Sequence, residues 1–143
     1  EACQRFLSQG YQIVIVTNQS GIGRGYYTEA QFHSLTDWML QKFAQQGIAI
    51  LDVFYCPHHP VSAQEPYLQR CQCRKPAPGM LLEASDRHEI DLLSSVMVGD
   101  SLTDMEAAEG AGIVRRFLVG DKYLNVELPD GVRYAPRLND VKI

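Results

Sequence analysis

"YQIVIVTNQSGIGRGYYTEAQF" runs from residue 11 to residue 32, and its first seven residues decide the fold class. Tyr11 to Thr17 is an apolar, β-branched run without polar alternation, the pattern of a strand buried on both faces and hence of a parallel sheet. A polar, glycine-rich loop follows. Thr28 and Gln31 then form a capping-box pattern that opens a long helix to about Gln46, which Gly47 ends. The alternation recurs downstream, with strands predicted at 49–56, 94–100 and 113–120 and helices at roughly 79–88 and 102–112. A short helical pattern from Ala2 to Leu7, stopped by Gly10, precedes the first strand. Strands alternating with helices predict an α/β fold, a parallel sheet with helices on both faces. Residues 121–143 read as a turn-rich tail with a short last helix at 137–143.

Composition narrows the function. With 143 residues, the chain is expected to form one domain over 1–143. A net charge of −4 without a basic stripe argues against nucleic acid and anionic membranes as partners. No apolar run approaches the roughly 20 residues needed to span a bilayer, and no signal peptide opens the chain. A soluble, cytoplasmic monomer acting on a small molecule is expected.

In parallel sheets, ligands gather at the carboxyl ends of strands, and that rule singles out three stretches. Thr17, Asn18, Gln19 and Ser20 offer hydroxyls, amides and N–H groups that can grip a phosphate without adding charge, although a plain polar turn would use the same residues. Gly21, Gly23 and Gly25 give neither the dinucleotide fingerprint nor a Walker motif. Arg74 and Lys75 precede Pro76, which favours an extended conformation and divergent side chains, suited to different parts of a ligand. A solvated basic pair is the bland alternative. Asp100 ends an apolar strand directly after a glycine, where a lone carboxylate suits Mg²⁺ if a phosphate completes the shell. Asp104 forms an S-x-x-D pattern with Ser101, which favours a capping role.

Three of the four cysteines fall in "CPHHPVSAQEPYLQRCQCRKP", 56–76. Cys56 and His58 form C-x-H, and Cys71 with Cys73 forms C-x-C after 12 intervening residues. Three thiolates and an imidazole suit tetrahedral structural zinc, with no open position for chemistry. His59 is an alternative to His58. Disulfides compete, but nothing else in the chain indicates secretion. Cys3 reads as an ordinary buried thiol.

Together "VTNQSGIGRGYYTEAQF", "CPHHP…CQCRKPAPGML" and "VMVGDSLTDMEAA" resemble the haloacid dehalogenase-like phosphatases in motif order and spacing over most of 1–120. The resemblance implies a Rossmann-like sheet, a zinc-binding loop at 56–75, no large cap domain and an open active site. It implies Mg²⁺-dependent removal of the C7 phosphate of a heptose 1,7-bisphosphate, in the supply of heptose precursors for lipopolysaccharide. Histidinol phosphate is the rival substrate, and a non-catalytic, zinc-containing phosphate-binding domain is the alternative of another class. Thr17 and Lys75 would stabilise the phosphoryl group. Asn18, Gln19, Ser20 and Arg74 would line the substrate, and Asp100 would hold Mg²⁺ with Asp104 as its acidic companion. Cys56, His58, Cys71 and Cys73 would hold Zn²⁺. The family mechanism also needs a nucleophilic D-x-D at the end of a first strand. No D-x-D occurs in residues 1–143. An N-terminal truncation is therefore expected, lacking about 30 or more residues of one βα unit. Without that strand the chain is not expected to catalyse by this route, and the strands at 11–17 and 94–99 lose a shared neighbour.

Overall fold

The computed structural model describes every residue from Glu1 to Ile143 and divides into two compact units. The first comprises Cys3–Arg74 with Glu1, and the second Lys75–Ile143 with Ala2. Each unit holds one parallel sheet.

In the first unit, α1 (Ala2–Ser8) leads into β1 (Ile13–Asn18), and a short helix α2 (Ser20–Gly23) follows. The loop expected at 18–26 thus contains a helical turn. Next come the long α3 (Glu29–Gln45) and β2 (Ile50–Cys56). The capping box at the start of α3 is formed as the sequence predicts, with Thr28 accepting from the Gln31 N–H and Gln31 returning the contact. β1 and β2 pair in parallel, with Thr17 opposite Tyr55 and Asn18 opposite Cys56. That register sets the end of β1 beside the first residue of the Cys/His loop. The Gln19 N–H extends the tie by donating to the Cys56 carbonyl at 2.7 Å. Although β1 has the composition of a strand buried on both faces, all six of its residues are only half-buried. It pairs along one edge alone.

The second unit contains α4 (Gly79–His88), β3 (Val96–Gly99), α5 (Leu102–Gly110), β4 (Arg115–Val119) and β5 (Val132–Ala135). Its sheet runs β3-β4-β5, all parallel, so β3 is an edge strand. Met80, Met105, Leu118 and Val141 are its largest fully buried side chains. β5 corrects the reading of 121–143 as a turn-rich tail. The tail supplies a strand on β4; a single 3₁₀ turn at Leu138–Asp140 replaces the expected last helix, and another lies at Asp121–Tyr123. "VRYA" is too short and too mixed in polarity to signal a strand; its partner β4 recruits it. Arg116, buried at 8% exposure on β4, helps to hold this segment by donating to the Asp130 carbonyl at 3.1 Å. No helix is long and apolar enough to cross a membrane.

Candidate phosphate site and metal centre

The metal centre lies wholly in the first unit. Cys56, at the end of β2, converges with His58, Cys71 and Cys73, and their four donor atoms lie within 4.8 Å of one another. Cys56 Sγ is 3.5 Å from Cys71 Sγ, and Cys73 Sγ is 3.4 Å from Cys71 Sγ. His58 presents Nδ1 to the sulfurs, 3.3 Å from Cys73 and 3.7 Å from Cys56. Tetrahedral zinc with bonds of about 2.3 Å to sulfur and about 2.0 Å to nitrogen needs edges of about 3.5–3.8 Å. The Cys56–Cys71 distance and the His58–Cys56 distance fall in that range, and those from Cys73 to Cys71 and to His58 are a little shorter. Cys56 and Cys73 approach closer, at 2.7 Å, and would move apart to take up a zinc ion. The donor set therefore fits a closed structural zinc site.

Burial pushes the thiols of Cys56 and Cys73 above the usual range. At Cys71 burial acts the same way. The Arg74 N–H at 3.4 Å and the neighbouring thiols outweigh it, so that thiol lies below the usual range. Zinc binds cysteine as the thiolate, so its binding would release the protons of these thiols.

His59, the sequence-level alternative to His58, has another task. Its Nδ1 accepts N–H groups from Val61 at 3.1 Å and Ser62 at 2.8 Å. Burial, with the charges of Arg74 and Arg24, lowers its pKa and keeps the ring neutral for that role. Its backbone exchanges bonds with Tyr67 and Gln69, closing a small bridge inside the loop.

The loop is also braced from outside. Glu29, in the first turn of α3, accepts from the Tyr55 hydroxyl at 2.6 Å and the Tyr67 hydroxyl at 2.7 Å. These bonds hold its carboxyl below the usual range, and burial, with the same pairing, pushes Tyr55 up to about 12. This tie is not readable from the sequence, because hydroxyl-to-carboxylate contacts between separate elements leave no periodic trace.

The phosphate-gripping stretch sits at the end of β1. Thr17 Oγ1 accepts from Gln19 Nε2 at 2.9 Å, and the Tyr27 hydroxyl donates to Gln19 Oε1. Gly21 and Gly23 serve packing. A Cβ at Gly21 would lie 2.9 Å from Cζ of Tyr27, and one at Gly23 would lie 2.8 Å from the Pro57 carbonyl oxygen. At the far end of the zinc loop, Arg74 Nη1 is buried and has no hydrogen-bond partner within the protein.

In the second unit, Asp104 joins Lys75 to the start of α5. Its Oδ1 lies 2.5 Å from Lys75 Nζ, with side-chain exposures of 12% for Lys75 and 7% for Asp104. Its Oδ2 accepts from the N–H groups of Asp100 and Ser101, both at 3.1 Å, completing a capping box for α5. Asp104 is thus a positioning carboxylate, as the S-x-x-D pattern predicts. Gly99 is required there, since a Cβ would overlap the Asp104 side chain. Asp100 lies at the surface at the end of β3. A carboxylate with open coordination suits Mg²⁺, which keeps several waters and takes one or two protein oxygens.

Two parallel α/β units, with a threonine hydroxyl, a lysine and an aspartate at strand ends or beside them, define a class. The family model described as "HAD-hyrolase-like" matches residues 72–130. A crystal structure of the D,D-heptose 1.7-bisphosphate phosphatase from B. bronchiseptica, complexed with magnesium and phosphate, superposes with a TM-score of 0.82. Its identity is 35%, and the match covers 97% of this chain and 76% of that one. The chain belongs to the haloacid dehalogenase-like phosphatases.

Within the family, it is 48% identical over 119 residues to the D-glycero-beta-D-manno-heptose-1,7-bisphosphate 7-phosphatase of Escherichia coli (strain K12). That match covers 83% of this chain and 62% of the relative. It is also 49% identical over 110 residues to the D-glycero-alpha-D-manno-heptose-1,7-bisphosphate 7-phosphatase of Photorhabdus laumondii, covering 77% of this chain and 60% of the relative. The chain spans about 60% of the length of the curated relatives it matches.

Proposed function

We propose that these residues belong to a Mg²⁺-dependent sugar-phosphate phosphatase that removes the C7 phosphate of D-glycero-D-manno-heptose 1,7-bisphosphate. The observation that carries the reading is the set around Lys75, Asp100 and Asp104, within a fold whose solved relative binds magnesium and phosphate. Asp104 fixes the position of the Lys75 ammonium, whose charge would face phosphoryl oxygens. Asp100 would hold Mg²⁺, which when bound neutralises charge on the transferring group. The Thr17 hydroxyl donates to a phosphoryl oxygen, and Asn18, Gln19 and Ser20 line the substrate. Arg74, with an unmatched buried donor, recognises a further polar group of the sugar phosphate. The zinc cluster fixes the loop that ends in Arg74 and takes no part in the chemistry.

No D-x-D carboxylate pair occurs in residues 1–143, so the roles assigned here are grip and charge neutralisation, not nucleophilic attack. Calorimetric titration with Mg²⁺ present tests the reading by comparing heptose 1,7-bisphosphate with histidinol phosphate. The bisphosphate is expected to bind at least about tenfold more tightly, about 1.4 kcal/mol. Equal affinity, or preference for histidinol phosphate, would refute the substrate assignment.

A further inference from the structure

We propose that Tyr27 is a positioning residue for phosphate recognition, acting through Gln19 to make the Thr17 hydroxyl a committed donor. The inference rests on the reading of Thr17 as a phosphoryl contact. It adds what fixes the direction of that hydroxyl's proton.

A threonine hydroxyl can donate or accept, and a phosphate dianion needs it to donate. Here the acceptor side of Thr17 Oγ1 is filled by the Gln19 amide N–H at 2.9 Å. The one carbonyl within reach of its proton, that of Asn18, lies at 3.4 Å, at the edge of hydrogen-bond range. An incoming phosphate oxygen at about 2.7 Å would outcompete that long contact for the proton.

This holds only while Gln19 points its NH₂ at Thr17. A flipped amide would point its oxygen there and capture the threonine proton instead. Tyr27 settles the choice. Its hydroxyl donates to the amide oxygen, which turns the NH₂ toward Thr17.

The rest of the loop fixes both partners. The Gln19 backbone is anchored to Cys56 at 2.7 Å, and the Tyr27 ring lies over Gly21, where any Cβ would collide with it. Tyr27 itself touches no substrate in this scheme. It sets the donor sense of a residue that does.

The test is a double-mutant cycle on the 143-residue chain, read by calorimetric binding of inorganic phosphate with Mg²⁺ present. Tyr27→Phe keeps the ring over Gly21, and melting temperature and zinc content are expected to stay unchanged. Thr17→Val should weaken phosphate by about tenfold or more, and Tyr27→Phe by about threefold to tenfold. In the Thr17→Val background, Tyr27→Phe should cost nothing further. An equal loss in both backgrounds would mean that the loop has merely loosened, and would overturn the proposal. So would a silent Tyr27→Phe beside a damaging Thr17→Val, which leaves the phosphatase reading standing. If Thr17→Val is itself silent, or the unmutated chain binds no phosphate, the reading of Thr17 fails and the proposal falls with it.

Discussion

At the scale of single residues, Asp104 has the most to do. It pairs with Lys75, caps α5 and receives two backbone N–H groups, and it is only 5% exposed. Removing one partner of a buried pair strands the other charge, which costs far more than the pair contributes. Asp104→Asn is thus expected to destabilise the protein by about 3 kcal/mol in urea unfolding and to weaken phosphate binding together with it. Asp100→Asn should separate these effects, because Asp100 is exposed at a strand end. Its unfolding midpoint should stay within experimental scatter, while Mg²⁺-dependent binding is lost. A destabilisation by Asp100→Asn as large as that by Asp104→Asn would contradict this division of labour.

The candidate site was legible where chemistry is written in local spacing. Cys56, His58, Cys71 and Cys73 could be picked out because three thiols and an imidazole in C-x-H and C-x-C have few other uses. Asp100 and Thr17 could be picked out because they end apolar runs. Asp104 was readable as a cap from Ser101, but its bond to Lys75 joins segments far apart in the chain. Tyr27, Glu29, Tyr55 and Tyr67 went unread, since a hydroxyl that meets an amide or carboxylate on another element imposes no period. For the same reason β5 was missed: its pairing with β4 makes it a strand, not its four residues.

Among the elements, the loop at 56–75 is the one that carries a candidate zinc site. The two histidines in "CPHHP" divide the work, and mutation should expose the division. His58→Ala is expected to lose zinc, read by metal analysis after dialysis, and to make the segment 56–75 sensitive to protease. His59→Ala should keep zinc at full stoichiometry and lose only its two loop hydrogen bonds, about 1 kcal/mol each. Zinc loss in His59→Ala with retention in His58→Ala would reverse the assignment.

The brace at Glu29 has a pH signature. Its folded pKa lies below the unperturbed 4.5, so its contribution is complete above that value and is lost as pH falls through the folded pKa. Melting curves should therefore show a smaller acid loss below pH 4.5 in Glu29→Gln than in the unmutated chain. Parallel curves would show that the Tyr55 and Tyr67 contacts are not formed in solution.

For the whole molecule, the residues proposed for recognition fall in both units. Residues 3–74 carry the Thr17 hydroxyl, the zinc loop and Arg74, while residues 75–143 carry Lys75, Asp100 and Asp104. Both halves are polar groups at strand ends or in the segments leading to them, as parallel α/β architecture favours. The central claim is that these residues form a Mg²⁺-dependent phosphate grip for a sugar bisphosphate. Titrating heptose 1,7-bisphosphate into the chain with and without Mg²⁺, alongside Lys75→Met and Asp100→Asn, tests it most directly. The account predicts binding that requires Mg²⁺, is lost in Asp100→Asn and is weakened at least about tenfold in Lys75→Met. Binding indifferent to Mg²⁺ and to both substitutions would contradict it.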